Sequence, residues 1–152
     1  MSGLIVREIT DKDIERVSEI EEECFSMPWK PDDFRDMIVR DNMIYVVAIL
    51  DNEVIGGAGL IAMPLVGEAD ITNVAIAKQY RGHGYSKVML KELLAIGEKK
   101  GCSDFTLEVR VSNKPAIGLY ESLGFASEGI RPGFYEKPKE DALIMWKRKI
   151  SF

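Results

Sequence analysis

The sequence predicts a mixed α/β domain built on a central sheet, and three observations predict it. Runs with period-two alternation or β-branched residues are interleaved with stretches whose apolar residues recur every three or four positions. The connections between these runs are short, and no internal repeat or low-complexity segment interrupts them. The chain has 152 residues, 46 % hydrophobic and 30 % charged. That length suffices for one core burying roughly two-thirds of the unfolded surface. The expectation is a single domain over residues 1–152.

"LIVREI" reads as a strand. Thr10 and Asp13 have a capping-box-like spacing, and Ile14, Val17, Ile20 and Cys24 recur at near-helical intervals, which predicts a helix stopping near "FSMPWK". Pro31 at a first-turn position, with Phe34, Met37 and Ile38, predicts a second short helix. "MIYVVAIL", the turn "DNE" and "VIGGAGLIAM" predict a hairpin, and "ADITNVAIA" a further strand. Gly56, Gly57 and Gly59 inside that hairpin mark a bulge or the close approach of another backbone. After "QYRGHGY" the pattern becomes helical, with Met89, Leu90, Leu93, Leu94 and Ile96 on one face and a stop near Gly101. In "DFTLEVRV", Phe105, Leu107, Val109 and Val111 alternate with Thr106, Glu108 and Arg110. Asn113, with Pro115 two residues on, opens a last helix that Gly124 ends, and "FASEGIRPGFYE" and "EDALIMWKRKI" predict two final strands.

Composition excludes several function classes. A net charge of −5 argues against direct nucleic-acid binding, which needs Lys and Arg clustered over a broad face. No apolar run approaches the roughly 20 residues of a membrane span. "MSGLIVREIT" lacks the charged-then-apolar order of a signal peptide, so a cytoplasmic protein is expected. Cys24 and Cys102 lie in unrelated segments and read as buried reduced thiols. With one histidine and two separated cysteines, no metal constellation is expected. Glu21 to Glu23 read as the solvated face of a helix, or as an attraction for a basic peptide. Nothing in the sequence sets an oligomeric state.

The stretch "QYRGHGYSK" reverses the charge of its surroundings. From Lys78 to Lys91 the charged side chains are Lys78, Arg81, Lys87 and Lys91, with no carboxylate until Glu92. A strand, a glycine-rich turn and a helix, in that order, expose the free N–H groups of the helix start, and these with the dipole favour bound phosphate. The motif lacks both the dinucleotide fingerprint and the Gly-Lys-Ser/Thr of a nucleoside-triphosphate loop. On spacing alone, a tight turn with a solvated basic rim remains the competing reading.

"NVAIAKQYRGHGYSKVMLKELL" resembles the acetyl-coenzyme A binding motif of the GNAT acetyltransferase superfamily. That pattern is Arg or Gln, two residues, Gly, one residue, then Gly or Ala. Here it runs through Arg81, Gly82, His83, Gly84, Tyr85 and Ser86, with Ser86 departing from the last position while remaining small. The resemblance implies the GNAT fold, a central mixed, mostly antiparallel sheet flanked by helices. It implies that the backbone N–H groups from Arg81 to Ser86 cradle the pyrophosphate of acetyl-CoA as co-substrate. It also implies that Val74 and Ile76 pair with the pantetheine arm. His83 occupies a variable position of that loop and is expected to face phosphate or solvent.

"CFSMPW", "LEVRVSNKPAIGLYESLGF" and "EDALIMW" are together similar to the ribosomal-protein-alanine N-acetyltransferases, the RimI family. Its members acetylate the N-terminal alanine of a small-subunit ribosomal protein, and some act on other protein N-termini. The implied acceptor is therefore a protein N-terminus. Acetyl transfer needs a neutral amine and a proton for the departing thiolate. An α-amino group has a pKa of about 7.7 to 8.0, so freeing its lone pair near pH 7 costs about 1 kcal/mol, against roughly 4 to 5 for a lysine amine.

The resemblance implies Glu108 as the general base and Tyr120 as the acid that protonates the thiolate. The residues alone allow Glu108 as an exposed strand glutamate or a partner of Arg110, and Tyr120 as a core tyrosine with Ile117 and Leu123. Asn113 aligns with a residue near the cofactor and is also a helix cap. Trp29, Arg131 and Tyr135 fall in segments that resemble the acceptor groove. Two other functions fit the same loop: acetylation of a small amine, such as a polyamine or antibiotic, and a coenzyme A binding regulatory domain without turnover.

Overall fold

The computed structural model describes residues 3–149. Seven strands and four helices follow one another as β1 (Leu4–Glu8), α1 (Ile14–Cys24), α2 (Pro31–Ile38), β2 (Met43–Leu50), β3 (Glu53–Met63), β4 (Glu68–Ile76), α3 (Tyr85–Lys99), β5 (Asp104–Arg110), α4 (Lys114–Ser122), β6 (Ala126–Glu136) and β7 (Lys139–Lys147). The strands form one sheet in the order β1-β2-β3-β4-β5-β7-β6. Every neighbouring pair is antiparallel except β4 with β5. The mixed, mostly antiparallel sheet expected from the sequence is present. The last strand stops at Lys147, and the predicted end of "EDALIMWKRKI" at Ile150 lies outside the described residues.

Alternation along β2 sorts the two faces. Ile44, Val46 and Ala48 point into a core with Met89, Leu90 and Leu93 of α3, while Tyr45 and Val47 point the other way, against Ile14, Val17, Phe34 and Met37 of α1 and α2. Burying such side chains contributes roughly 1.5 to 3 kcal/mol each. The sheet is thus covered on both sides, and β5 presents one face to each layer.

The entry to α1 uses Asp13, which accepts the Thr10 backbone N–H at 2.8 Å and is clasped by both Arg7 nitrogens at 2.8 and 3.1 Å. Pro31 stands in the first turn of α2, as its fixed φ favours. The glycines of β3 serve close approach. The Tyr45 ring lies across Gly57 and Gly59, and a Cβ on Gly59 would fall 2.8 Å from it. Small residues in β3 thereby admit a large aromatic between the sheet and α2, where Tyr45 meets Phe34 edge-on at 5.2 Å.

Two register shifts shape the site. Opposite Gly59 and Leu60 of β3, β4 carries Asn73 and Ile71, which leaves Thr72 as an extra residue. Such a bulge bends its strand and takes one residue out of the ladder. On β6, pairing jumps four residues from Arg131 to Tyr135 while the antiparallel β7 steps back only two, from Ala142 to Glu140.

Candidate active site

β4 and β5 pair only where Glu68 to Asp70 meet Asp104 to Thr106. Beyond that point β4 runs on to Ile76 and β5 to Arg110 without pairing to each other. The bulge at Thr72 bends β4 away, so the sheet opens as a wedge. Val74 and Ile76 flank it on one side and Glu108 on the other.

β4 leads through a short turn at Lys78–Tyr80 into the glycine loop and α3. Gly82 and Gly84 have φ of 82° and 81°, in the left-handed region that side chains strain to enter. No side chain caps α3, and its first turn holds no acidic residue. The N–H groups of Tyr85 and Ser86 therefore lack helical acceptors, and the loop suits a bound anion. Arg81 does not join this set with its backbone, because its N–H donates to the Lys78 carbonyl at 3.3 Å. Its side chain turns back, donating to the Ile76 carbonyl and to Cys24 Sγ at 3.0 Å each. His83 is exposed, its ring 5.7 Å from that of Tyr85.

Glu108 is half-buried on the α1 and α2 face of β5, and its Oε2 lies 3.5 Å from the Arg131 guanidinium on β6. Arg110 is not its partner. Instead Arg110 bonds Glu140 at 3.1 Å and the Pro138 carbonyl at 2.9 Å, and stacks 4.4 Å over the Tyr135 ring. That clasp fastens the β6–β7 hairpin to β5.

Tyr120 comes from α4 and is 8 % exposed, edge-on to Phe125 at 5.9 Å. Burial, and then the neighbouring Tyr135, push its phenol well above the ordinary value. Tyr135 is itself raised, by burial first and then by the Glu108 charge, with Arg110 opposing. After burial, Tyr135 is thus the next influence on the Tyr120 phenol, and Glu108 the next on that of Tyr135.

Trp29 sits between α1 and α2 with its ring 5.3 Å from that of Phe34. Asn113 caps α4, its Oδ1 accepting the Ala116 N–H at 3.3 Å. Among the described residues no three His, Cys, Asp or Glu side chains gather as a metal ion requires, and no helix is long and apolar enough to cross a membrane.

Two sequence expectations need correction. Glu21 is 2 % exposed and belongs neither to a solvated face nor to a surface for a basic peptide. It shares the phase of Ile14 and Val17, which was legible in the sequence and outranked by its charge. Cys24 is half-buried, not buried, because its Sγ reaches the loop-bracing Arg81 and donates to the Ile76 carbonyl at 3.4 Å. Asp70 was not anticipated. It shares the Glu108 face, and burial raises its carboxyl while Arg131 pulls it down. Its signal was a carboxylate at a polar position of the strand before the glycine loop.

The family model of the acetyltransferase (GNAT) family matches residues 14–125. A Bacillus subtilis (strain 168) protein, provisionally named a ribosomal protein bS18-alanine N-acetyltransferase, is 37 % identical over 142 residues, 93 % of each chain. The Haemophilus influenzae (strain ATCC 51907 / DSM 11121 / KW20 / Rd) protein of that name is 33 % identical over 144 residues, covering 93 % of this chain and 96 % of its own. The crystal structure of the Escherichia coli ribosomal-protein-S18-alanine N-acetyltransferase superposes with a TM-score of 0.85 at 27 % identity, over 97 % of this chain and 96 % of that one. Arabidopsis thaliana NAA60, solved in complex with acetyl-CoA, shares the fold with a TM-score of 0.83 at 19 % identity, over 94 % of this chain and 97 % of its own. The chain belongs to the GNAT acetyltransferase family, and within it to the ribosomal-protein-alanine N-acetyltransferases.

Proposed function

We propose that the protein transfers the acetyl group of acetyl-CoA to the N-terminal α-amine of a protein, the alanine of a small-subunit ribosomal protein, by direct attack with both substrates bound. The observation that supports this reading is the open wedge where β4 and β5 part, with Glu108 on its β5 side and the glycine loop before the uncapped start of α3 at the end of its β4 side. Residues 1–152 act as one catalytic domain in the cytoplasm, where ribosomal proteins are made. Neither nucleic acid nor membrane is a partner.

Gly82, Gly84, Tyr85 and Ser86 hold the pyrophosphate, with Arg81 bracing the loop and His83 at its rim. Val74 and Ile76 present the β4 edge to the pantetheine arm, and Asn113 lies where β5 hands over to α4. Trp29, Arg131 and Tyr135 wall the acceptor groove. The neutral amine attacks the thioester carbonyl, its nitrogen forms the new C–N bond, and the C–S bond breaks. Glu108 accepts the proton the amine sheds, directly or through one water, and Tyr120 donates to the departing sulfur. Burial keeps the Tyr120 phenol protonated, and the same surroundings raise the basicity of the thiolate, so the two ends of that transfer shift together.

Mass spectrometry tests the reading after incubation with acetyl-CoA and three acceptors: an Ala-Arg-initiated peptide, an N-terminally blocked lysine peptide and spermidine. Product confined to the free alanine amine is expected. Preferred acetylation of spermidine would move the function to small amines, and coenzyme A binding without any product would favour a regulatory domain.

A further inference from the structure

Glu21 enters the layer between α1 and the sheet, and its carboxylate is answered from two sides. Oε1 accepts the Trp29 backbone N–H at 3.2 Å, and Oε2 accepts Nδ2 of Asn73 at 3.1 Å. The Oδ1 of Asn73 in turn accepts the Thr72 hydroxyl at 2.6 Å. A line of hydrogen bonds thus runs from the extra residue of the β4 bulge, through Asn73 and Glu21, to the loop that carries Trp29. Glu21 and Asn73 are 52 positions apart in the chain. Burial raises the Glu21 carboxyl, and the Trp29 N–H and the Asn73 amide draw it part of the way back.

A buried polar chain of this kind fixes one geometry more strictly than apolar packing does, provided every member is satisfied. Here it joins two segments with different substrates. β4 at Thr72 and Asn73 borders the wedge read above as the thioester site, and Trp29 borders the groove read as the acceptor site. We propose that Glu21 is a positioning residue for acetyl transfer, locking the Trp29 loop to the bulge of β4 so that the acceptor amine meets the thioester carbonyl at a fixed approach. This inference rests on the functional reading above. A displacement of about 1 Å between reacting groups lowers turnover by as much as about a hundredfold, which gives a buried tie at this point its leverage.

The test exchanges the polarity of the pair. Asn73→Asp sets two carboxylates against each other, while Glu21→Gln with Asn73→Asp restores an amide donor opposite a carboxylate and leaves acceptors for Trp29 and Thr72. With the alanine peptide, the single variant is expected to lose about tenfold or more in kcat/KM with a raised acceptor KM. The double variant is expected to recover to within about threefold, with coenzyme A affinity held within about threefold throughout. A single variant as active as the parent, a double variant no better than the single, or coenzyme A affinity falling in step with kcat would each overturn the proposal. If Asn73→Asp does not fold, Glu21→Gln alone is judged by the same kinetic criteria.

A second readout needs no turnover. The chain has two tryptophans, so Trp146→Phe leaves Trp29 as the sole emitter. Red-shifted Trp29 emission in Asn73→Asp, reversed in the double variant, is expected, and unchanged emission would overturn the tie. A parent enzyme that leaves the peptide untouched would refute the functional reading, while the emission still decides whether the bridge exists.

Discussion

The guanidinium of Arg131, on β6, stands 3.5 Å from the carboxylate of Glu108, on β5, so the residue proposed as base is ion-paired across the intervening β7. Arg131 is also felt by Asp70 on β4. One cation thus pairs with Glu108 and, through its charge, partly offsets the effect of burial on Asp70.

The ion pair makes Glu108→Gln a clean substitution, because Gln keeps the shape and an acceptor oxygen for Arg131 while losing proton affinity. Turnover is expected to fall by about a hundredfold to ten-thousandfold with coenzyme A affinity unchanged. Thiol release under saturating substrates, paired with calorimetric titration of coenzyme A, measures both. Equal loss in the two would assign Glu108 to binding.

For Tyr120 the two readings separate by turnover at unchanged stability. Tyr120→Phe keeps the ring on Phe125 and removes only the hydroxyl, which makes no hydrogen bond among the described residues. The melting temperature is therefore expected to stay within a few degrees, while kcat drops and coenzyme A affinity holds. A variant with full turnover would leave Tyr120 as packing alone.

Gly84→Glu combines three effects in the loop before α3. It forces a side chain to φ of 81°, adds bulk, and places an anion where phosphate is proposed to sit. Coenzyme A affinity should weaken by at least about tenfold, measured by titration, and more at low salt than at high because part of the effect is charge repulsion. Affinity equal to the parent would remove the loop from the site.

Most of the fold was legible because each element carried its own signal. β2 and β3 announced themselves as hairpin strands, Pro31 placed α2, and the period after Gly84 placed α3. What the sequence did not give was pairing between distant segments. Which arginine faces Glu108 depends on a long jump in register along β6, and nothing within "DFTLEVRV" distinguishes Arg131 from the adjacent Arg110. Glu21 was hidden for a different reason. Its helical phase said buried and its charge said exposed, and only Asn73 and the Trp29 N–H, 52 and 8 positions away, make the first possible.

Gly57 offers a prediction free of catalysis. A Cβ there would overlap the Tyr45 ring, whose hydroxyl is buried without a hydrogen-bond partner among the described residues. Gly57→Ala is expected to destabilise by about 1 to 3 kcal/mol through overpacking, read by urea denaturation. Adding Tyr45→Phe should recover part of the loss by relieving the crowded hydroxyl. No change in midpoint for Gly57→Ala would mean that the ring moves freely.

The acid limb of stability should report Asp13. Burial pushes its carboxyl up, but the hydrogen bonds from Arg7 and Thr10 and the Arg7 charge outweigh that and hold it below the ordinary value. A group whose folded pKa is depressed contributes fully above its unfolded pKa of about 3.9 and loses that contribution as pH falls through the folded value. Asp13→Asn should therefore lower stability at pH 7 by about 1 to 2 kcal/mol. That range is modest because the Arg7 side chain is 42 % exposed and solvent screens its end of the pair. Urea midpoints at pH 7 and near pH 3 are expected to show the gap between variant and parent narrowing in acid. A gap of constant size would assign the contribution to shape and neutral hydrogen bonding at the start of α1, with the Asp13 charge adding nothing.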